Sequence, residues 1–132
     1  MTSDADAPHG LILFAHGARD PRWAAPFDEV ARRVREVLPG LRVALAYLEL
    51  MPPTLAEAGA QLARDGCTRI TVLPMFLGSG GHVRHDLPLL AQALREAWPG
   101  VRVDLLDPIG EQPTVLAAMA DAAAALVAGG AA

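Results

Sequence analysis

Hydrophobic positions along this chain fall into two alternating patterns. Short apolar runs occupy residues 11–15, 43–48 and 70–76, the last with one threonine, and residues 101–106 are apolar apart from Arg102 and Asp104. Runs of this length with little polar alternation are typical of strands covered on both faces of a sheet. The pattern therefore predicts four buried strands.

Each of these runs is followed by a stretch in which apolar residues recur every three or four positions, the spacing of an amphipathic helix. The first predicted helix ends near residue 38, before a Pro-Gly pair, and the second opens at a capping box over residues 54–57 and closes at Gly66. The third is expected to begin at an Asp86 cap and to stop before a second Pro-Gly pair at 99–100. The fourth covers residues 113 to about 127.

Four successive strand–helix units with short connections predict an α/β fold. We expect one three-layer domain with a four-stranded, mainly parallel sheet, right-handed crossovers and helices on both faces. A chain of 132 residues is the size of one ordinary domain. The domain is predicted to span residues 11–128, with flexible ends at 1–10 and 129–132.

Composition excludes several partner classes. The formal net charge is -4, whereas proteins that bind nucleic acids or anionic membranes broadly carry a basic stripe. No apolar run is long enough to cross a bilayer, and residues 1–8 lack the basic and apolar regions of a signal peptide. We therefore expect no nucleic-acid or membrane partner and a cytoplasmic location.

The types of reactive side chain narrow the chemistry further. All eleven basic residues are arginine, which excludes a P-loop lysine and a Schiff-base lysine, and no nucleotide cofactor is expected. The single cysteine, Cys67, cannot form an internal disulfide or a thiolate cage for a metal, and we expect it to be buried.

Two histidines follow predicted strands directly. His16 comes after the first strand, and His82 lies in a glycine-rich stretch at 77–88 that is predicted to link the third strand to its helix. The carboxyl ends of parallel strands open onto one edge of the sheet, where such folds bind ligands. Both imidazoles are therefore expected at the same crevice.

Three segments carry a family resemblance: Leu-Phe-Ala-His-Gly-Ala-Arg-Asp-Pro at 13–21, Ala-Tyr-Leu-Glu at 46–49 with Pro-Thr-Leu at 53–55, and Pro-Met-Phe-Leu at 74–77 leading through His82-Val83 to Asp-Leu-Pro at 86–88. In this order and spacing they resemble the small sirohydrochlorin chelatases of the CbiX type. The resemblance runs from about residue 11 to residue 116.

The resemblance implies half of a class II chelatase fold, in which a divalent metal is inserted into the tetrapyrrole sirohydrochlorin without ATP, on the way to siroheme or cobalamin. His16 and His82 match the family's metal-binding histidines, and Glu49 matches an acidic position near its active site. Small members resemble one half of longer, two-domain chelatases, which implies a homodimer whose two domains flank the macrocycle.

Histidine and carboxylate donors suit this chemistry. They bind Co²⁺, Fe²⁺ or Ni²⁺ without the tight grip of a thiolate cluster, so the metal can be released to the substrate. Insertion also removes two pyrrole protons, which a neutral histidine can accept. The sequence leaves open which of His16 and His82 is ligand and which is base, and whether His85 is a further ligand or an exposed neighbour of the helix cap.

The substrate class carries many carboxylates, which favours nearby cationic and backbone donors. Arg19, Arg22 and Arg84 lie in the strand-to-helix segments, and Gly80 and Gly81 allow backbone N–H groups to approach an anion. The alternative is that the arginines are solvated near a helix start and the glycines form a strained turn without a ligand.

Two other functions use a similar pattern. A histidine phosphatase also places His-Gly after its first strand but expects an arginine just before that histidine, where this chain has Ala15. A non-catalytic carrier of a tetrapyrrole or a metal would use the same groups as a chelatase. The sequence does not separate carrier from enzyme, nor does it fix the metal or the pathway.

Four further residues lead to expectations about the structure. Trp23 is expected to cover the crevice and Trp98 to lie in the core. His9 precedes the first predicted strand and is expected to be exposed to solvent. Ala18 stands where relatives often carry serine, which removes a hydroxyl near the site.

Overall fold

The computed structural model describes residues 7–78 and 80–130, apart from the side chain of His82. Four strands form one sheet: β1 (His9–Ala15), β2 (Arg42–Tyr47), β3 (Arg69–Pro74) and β4 (Arg102–Leu105). All neighbouring strands are parallel, and their spatial order is β2-β1-β3-β4. The predicted α/β fold with a parallel sheet is confirmed.

Four α-helices connect or follow the strands: α1 (Ala25–Val37), α2 (Leu55–Arg64), α3 (Gly81–Ala97) and α4 (Pro113–Ala128). A first 3₁₀ turn (Pro21–Ala24) precedes α1, and a second 3₁₀ turn (Ile109–Glu111) precedes α4. The predicted capping box is present at α2, where the Thr54 hydroxyl accepts from Glu57 N and Thr54 N donates to Glu57 Oε1. No helix in the described part of the chain is long and apolar enough to span a bilayer.

The helices cover the two faces of the sheet unequally. The crossovers from β1 to β2 and from β3 to β4 run toward opposite edges, and because such crossovers are right-handed, α1 and α3 lie on opposite faces. Helix α2 packs beside α3. The main core lies between the sheet and these two helices, and a smaller cluster lies under α1. The main core contains Ile12, Phe14, Ala46, Leu55, Ala58, Leu62, Cys67, Ile70, Val72, Leu87, Ala91, Leu94 and Val103.

Helix α3 begins earlier than the sequence predicts. The expected cap at Asp86 is wrong: Gly80 is the N-cap, with extended backbone at φ -74 and ψ 175, and Asp86 lies inside the helix. Pro88 also lies within α3, where the missing proline N–H leaves the Arg84 carbonyl without its helical donor. Gly81, His82 and His85 are therefore helical rather than in a loop.

The first strand also begins earlier than predicted. It starts at His9, two residues before the predicted domain boundary, and pairs there with Arg69 of β3. The His9 imidazole is partly buried, with Nε2 2.7 Å from the Thr71 hydroxyl, so the expectation of a solvent-exposed side chain is wrong. Burial lowers the pKa of His9 below its usual value, and the nearby Arg69 charge lowers it further.

Helix α4 follows the predicted bounds closely but packs differently from the other helices. It contains no buried residue and lies mainly against the second 3₁₀ turn rather than on the sheet. Its sequence is nevertheless apolar, with Asp121 its one charged residue.

Candidate active site

His16 and Glu49 meet at the carboxyl edge of the sheet. His16 Nε2 lies 2.9 Å from Glu49 Oε1, and the two side chains are 49% and 55% exposed. The backbone holds them at the same height, because Leu48 N donates to the Ala15 carbonyl and Glu49 N donates to the His16 carbonyl. The pairing of β1 with β2 thus continues past both strands and brings the two side chains together.

Gly17 makes this approach possible. Its φ is +101°, a region that favours glycine, and a Cβ at this position would collide with the Glu49 carbonyl oxygen. Leu50, directly after Glu49, also has a positive φ, of 69°. The backbone conformations at Gly17 and Leu50 therefore fix the positions from which the His16 and Glu49 side chains extend.

The pair has two chemical uses. With its proton on Nε2, His16 donates to Glu49 and keeps Nδ1 free as a metal ligand, an arrangement in which a carboxylate orients the histidine. With the hydrogen bond broken, Nε2 and a carboxylate oxygen are placed to bind one cation together. Both uses keep a nitrogen and an oxygen donor within reach of solvent.

An aromatic side chain that the sequence did not single out borders the pair. The Phe76 ring meets His16 edge-on, with centroids 6.2 Å apart, and also contacts Phe14. Phe76 lies just beyond β3, which pairs with β1. Its position at the carboxyl end of a predicted strand was the available signal. It supplies an apolar wall next to the imidazole.

The backbone of His82 lies in the first turn of α3, beyond the carboxyl end of β3. The crossovers from β1 and β3 diverge, so the switch point where such folds bind ligands lies between these two strands. The His82 side chain lies outside the described residues, and its part in the site stays a prediction. Among the described side chains, no group of three or more histidines, cysteines or carboxylates is placed to hold a metal.

The predicted arginines differ in their surroundings. Arg22 is bound by Asp20, which accepts from the guanidinium at 2.8–3.1 Å and from Arg22 N at 2.9 Å. These bonds hold the pKa of the Asp20 carboxyl below its usual value. Arg19 and Arg84 are exposed, with Arg84 in the first turn of α3.

Gly80 and Gly81 are exposed, and a Cβ at either position would meet no neighbouring atom. Neither has the positive φ of a strained turn, so chain geometry does not require glycine there. Their role in binding an anion stays a prediction.

The two tryptophans lie within hydrophobic clusters. Trp23 packs against Phe27, with ring centroids 4.8 Å apart, and against Tyr47. Its place over the crevice stays a prediction. Trp98 packs against the main core as predicted, and the Arg64 guanidinium lies over its ring.

Comparisons with known proteins agree with the observed fold. The CbiX family model matches residues 10–126. The chain is 33% identical to a sirohydrochlorin cobaltochelatase of Methanopyrus kandleri over 67% of its length, and 27% identical to a sirohydrochlorin ferrochelatase of Priestia megaterium over 83% of its length. The crystal structure of a CbiX protein from Marinobacter aquaeolei superposes with a TM-score of 0.79 at 35% identity, covering 91% of this chain and 98% of that one.

The two curated relatives are longer than this chain. The matched part spans 61% of the Methanopyrus protein and 41% of the Priestia protein. The family model nevertheless covers nearly all of the sheet and its helices, including His16, Glu49 and His82. The chain belongs to the CbiX family.

Proposed function

We propose that this chain inserts a divalent metal into sirohydrochlorin without ATP. The observation that carries the proposal is the His16–Glu49 pair, a nitrogen and an oxygen donor 2.9 Å apart at the ligand-binding edge of a CbiX-family domain. The names of the relatives, cobaltochelatase and ferrochelatase of the same tetrapyrrole, support it.

In this proposal His16, His82 and Glu49 share metal delivery and proton removal. The metal replaces two pyrrole protons, and the half-exposed His16 ring and Glu49 carboxylate can accept them and pass them to solvent. Donors of this kind exchange divalent metals readily, so the metal moves on to the macrocycle as substrate.

The metal is Co²⁺ or Fe²⁺, the two ions that the names of the relatives imply, and Ni²⁺ fits the same donors. Cobalt would place the protein in cobalamin biosynthesis and iron in siroheme biosynthesis. No nucleotide takes part in the proposed reaction.

Cationic and backbone groups near this edge are proposed to bind the substrate carboxylates. Arg19 and Arg84 are exposed and able to turn toward an anion, as are the backbone N–H groups of Gly80 and Gly81. Arg22 must first give up its bonds to Asp20, so its contribution is expected to be smaller.

We further propose that the chain works as a homodimer in the cytoplasm, without a nucleic-acid or membrane partner. The chain matches 41% of the length of the Priestia ferrochelatase, which fits one of two halves around a macrocycle. The buried, unpaired Cys67 thiol fits a reducing compartment.

A carrier of sirohydrochlorin or metal would use the same residues and is the second candidate. Anaerobic absorbance of sirohydrochlorin in excess over protein, with Co²⁺, Fe²⁺ or Ni²⁺ added separately, distinguishes the two. Turnover beyond one equivalent and above the protein-free rate supports the chelatase and ranks the metals. A spectral change that stops at one equivalent would mean a carrier, and no change at all would contradict both.

A further inference from the structure

Two leucines are exposed at the edge of the sheet where the candidate active site lies. Leu50 follows β2 and is 56% exposed, and Leu77 follows β3 and is 72% exposed. Each lies three residues beyond the end of its strand. A single exposed leucine is ordinary on a protein surface, so exposure alone gives neither residue a role. Their backbone conformations and their places in the row of strands distinguish them.

Leu50 adopts a backbone conformation that does not suit leucine. Its φ is 69°, in the left-handed region where the Cβ of an L-residue crowds the following carbonyl oxygen. Glycine adopts this conformation freely, and asparagine tolerates it. Folding alone therefore favours glycine or asparagine here, while the leucine side chain is more than half exposed and contributes little to the core. This combination indicates a role for the Leu50 side chain other than folding.

The backbones of both leucines are held by glycines of the adjoining strand ends. A Cβ on Gly110, which follows β4, would collide with the carbonyl oxygen and Cα of Leu77. A Cβ on Gly17, which follows β1, would collide with the Glu49 carbonyl oxygen, directly before Leu50. The missing glycine side chains leave room for these close approaches. The positions of the two leucines are therefore defined, although their side chains are exposed.

An internal repeat relates the two arrangements. One pattern, Arg-Glu-x-x-Pro-Gly-x-Arg-Val, occurs twice with an offset of sixty residues, at 35–43 and at 95–103. With this offset Gly17 corresponds to Leu77, and Leu50 corresponds to Gly110. A similar backbone contact thus recurs with glycine and leucine exchanged. The contact itself needs only the glycine, so it does not explain why the opposite position holds leucine both times.

The two leucines lie on either side of the nitrogen and oxygen donors. In the sheet β1 lies between β2 and β3, so His16, directly after β1, stands between Leu50 and Leu77. Neighbouring strands lie about 4.8 Å apart, which places the ends of β2 and β3 about 10 Å from each other. The Phe76 ring adjoins the imidazole on the Leu77 side. Apolar side chains therefore border the donor pair on both sides.

This order of groups along the edge matches the chemistry of a tetrapyrrole. Such a ring has nitrogen atoms at its centre, apolar pyrrole carbons around them and, in sirohydrochlorin, carboxylates at its periphery. The edge offers metal donors in the middle, leucine side chains on both sides, and the exposed arginines Arg19 before α1 and Arg84 in α3. Contact between leucines and pyrrole carbons would remove apolar area of both from water, which favours binding.

We propose that Leu50 and Leu77 form a ring-binding surface, which contacts the macrocycle on both sides of its centre and holds the central nitrogens over the His16–Glu49 pair. Metal donors alone fix one point of the ligand, whereas contacts on both sides also fix the position of the ring. The inference rests on the function proposed above. It names the residues that bind the ring itself, as distinct from those that bind the metal or the carboxylates.

Leu50→Asn and Leu77→Asn test the ring-binding surface. Asparagine removes the apolar contact but suits the positive φ at residue 50, so Leu50→Asn should unfold at the same urea concentration as the natural protein or at a higher one. Each variant should nevertheless bind metal-free sirohydrochlorin at least about tenfold more weakly, measured anaerobically from the absorbance of the ligand. A merely structural role would not lower binding while the fold stays equally stable.

Leu89→Asn is the matched control, because Leu89 lies in the middle of α3 and is 57% exposed, as Leu50 is. Its Kd for sirohydrochlorin should stay within about twofold of the natural value. Co²⁺ binding in the absence of tetrapyrrole should also stay within about twofold in all three variants, since the leucines contact the ring and not the metal.

Three results would overturn the ring-binding surface. The first is unchanged sirohydrochlorin binding in both Leu50→Asn and Leu77→Asn, or an equal loss in Leu89→Asn. The second is a parallel loss of Co²⁺ affinity, because the leucines would then act through the donor pair. The third is the appearance of monomers in light scattering with unchanged sirohydrochlorin binding, which would assign the leucines to a contact between copies of the chain.

Metal insertion separates this inference from the proposed function. Insertion with an unchanged KM for sirohydrochlorin in both leucine variants overturns the ring-binding surface alone. Sirohydrochlorin binding that depends on the leucines, without insertion, overturns the chelatase proposal alone. A chain that binds no sirohydrochlorin overturns both.

Discussion

His16 and Glu49 are 33 residues apart in the chain, yet His16 Nε2 lies 2.9 Å from Glu49 Oε1. The register of the sheet explains the contact, because Ala15 pairs with Tyr47 and the ladder continues until Glu49 N donates to the His16 carbonyl. A nitrogen and an oxygen donor are thereby held next to each other just beyond the carboxyl ends of two neighbouring strands.

Replacing either member of this pair should impair metal insertion without unfolding the protein. His16→Ala and Glu49→Ala each remove a donor, and we expect insertion rates at least about tenfold lower. Both side chains are half exposed, so unfolding free energies should change by less than about 1 kcal/mol. Initial rates with Co²⁺ and urea denaturation check both expectations. Glu36→Ala, at an exposed carboxylate of α1, is the control, and near-normal rates in both site variants would contradict the assignment.

The two histidines at the start of α3 should behave differently. His82→Ala is expected to lower the insertion rate at least about tenfold, because we propose that His82 takes part in metal delivery. His85→Ala is the matched control on the same helix turn, and we expect less than about a twofold change. Rates at saturating and limiting Co²⁺ provide the measurement. An equal loss in both variants would place His85 in the site as well.

Gly17 should tolerate no side chain. Gly17→Ala forces a positive φ on alanine and a collision with the Glu49 carbonyl oxygen, and we expect it to cost at least about 2 kcal/mol of unfolding free energy. Gly100→Ala is the control, since a Cβ there meets nothing and the backbone is unstrained, and it should change stability by less than about 0.5 kcal/mol. Urea denaturation of both variants decides, and equal stabilities would show that the backbone at Gly17 relaxes freely.

His9 should make stability depend on pH. Burial, aided by the Arg69 charge, lowers its folded pKa below the unfolded value of about 6.5. As pH falls below about 6.5 the unfolded chain takes up a proton that the folded chain refuses, so stability drops until the folded pKa is passed. Unfolding free energies at several values from pH 7 to pH 5 should fall in the natural protein.

His9→Gln keeps a hydrogen-bonding group opposite Thr71 but does not titrate. Its stability should fall less over the same pH range. The carboxyl groups with lowered pKa values, such as Asp20 and Asp104, become protonated only in more acidic solution. Their contribution to stability therefore does not change between pH 7 and pH 5. Parallel pH profiles of the two proteins would rule His9 out as the cause.

Local patterns in the sequence determined most of the elements. The apolar runs located all four strands, the Thr54–Glu57 box opened α2 as predicted, and the two Pro-Gly pairs ended α1 and α3. These signals act within one or two turns of chain, where spacing and backbone chemistry decide the structure. The start of α3 was misplaced because an aspartate followed two residues later by a proline is also typical of a helix start. The helix in fact begins after Gly80, whose carbonyl accepts from Arg84 N, and it continues through Asp86 and Pro88.

Only the tertiary structure decided which residues meet. Strand order and register bring His16 to Glu49 and place Phe76 beside the imidazole, and no local pattern encodes the order of strands in a sheet. The same holds for α4. Its composition predicted an apolar helix, but whether that helix is covered depends on surfaces far away in the chain. Periodicity is a property of neighbours in sequence, while pairing and burial are properties of neighbours in space.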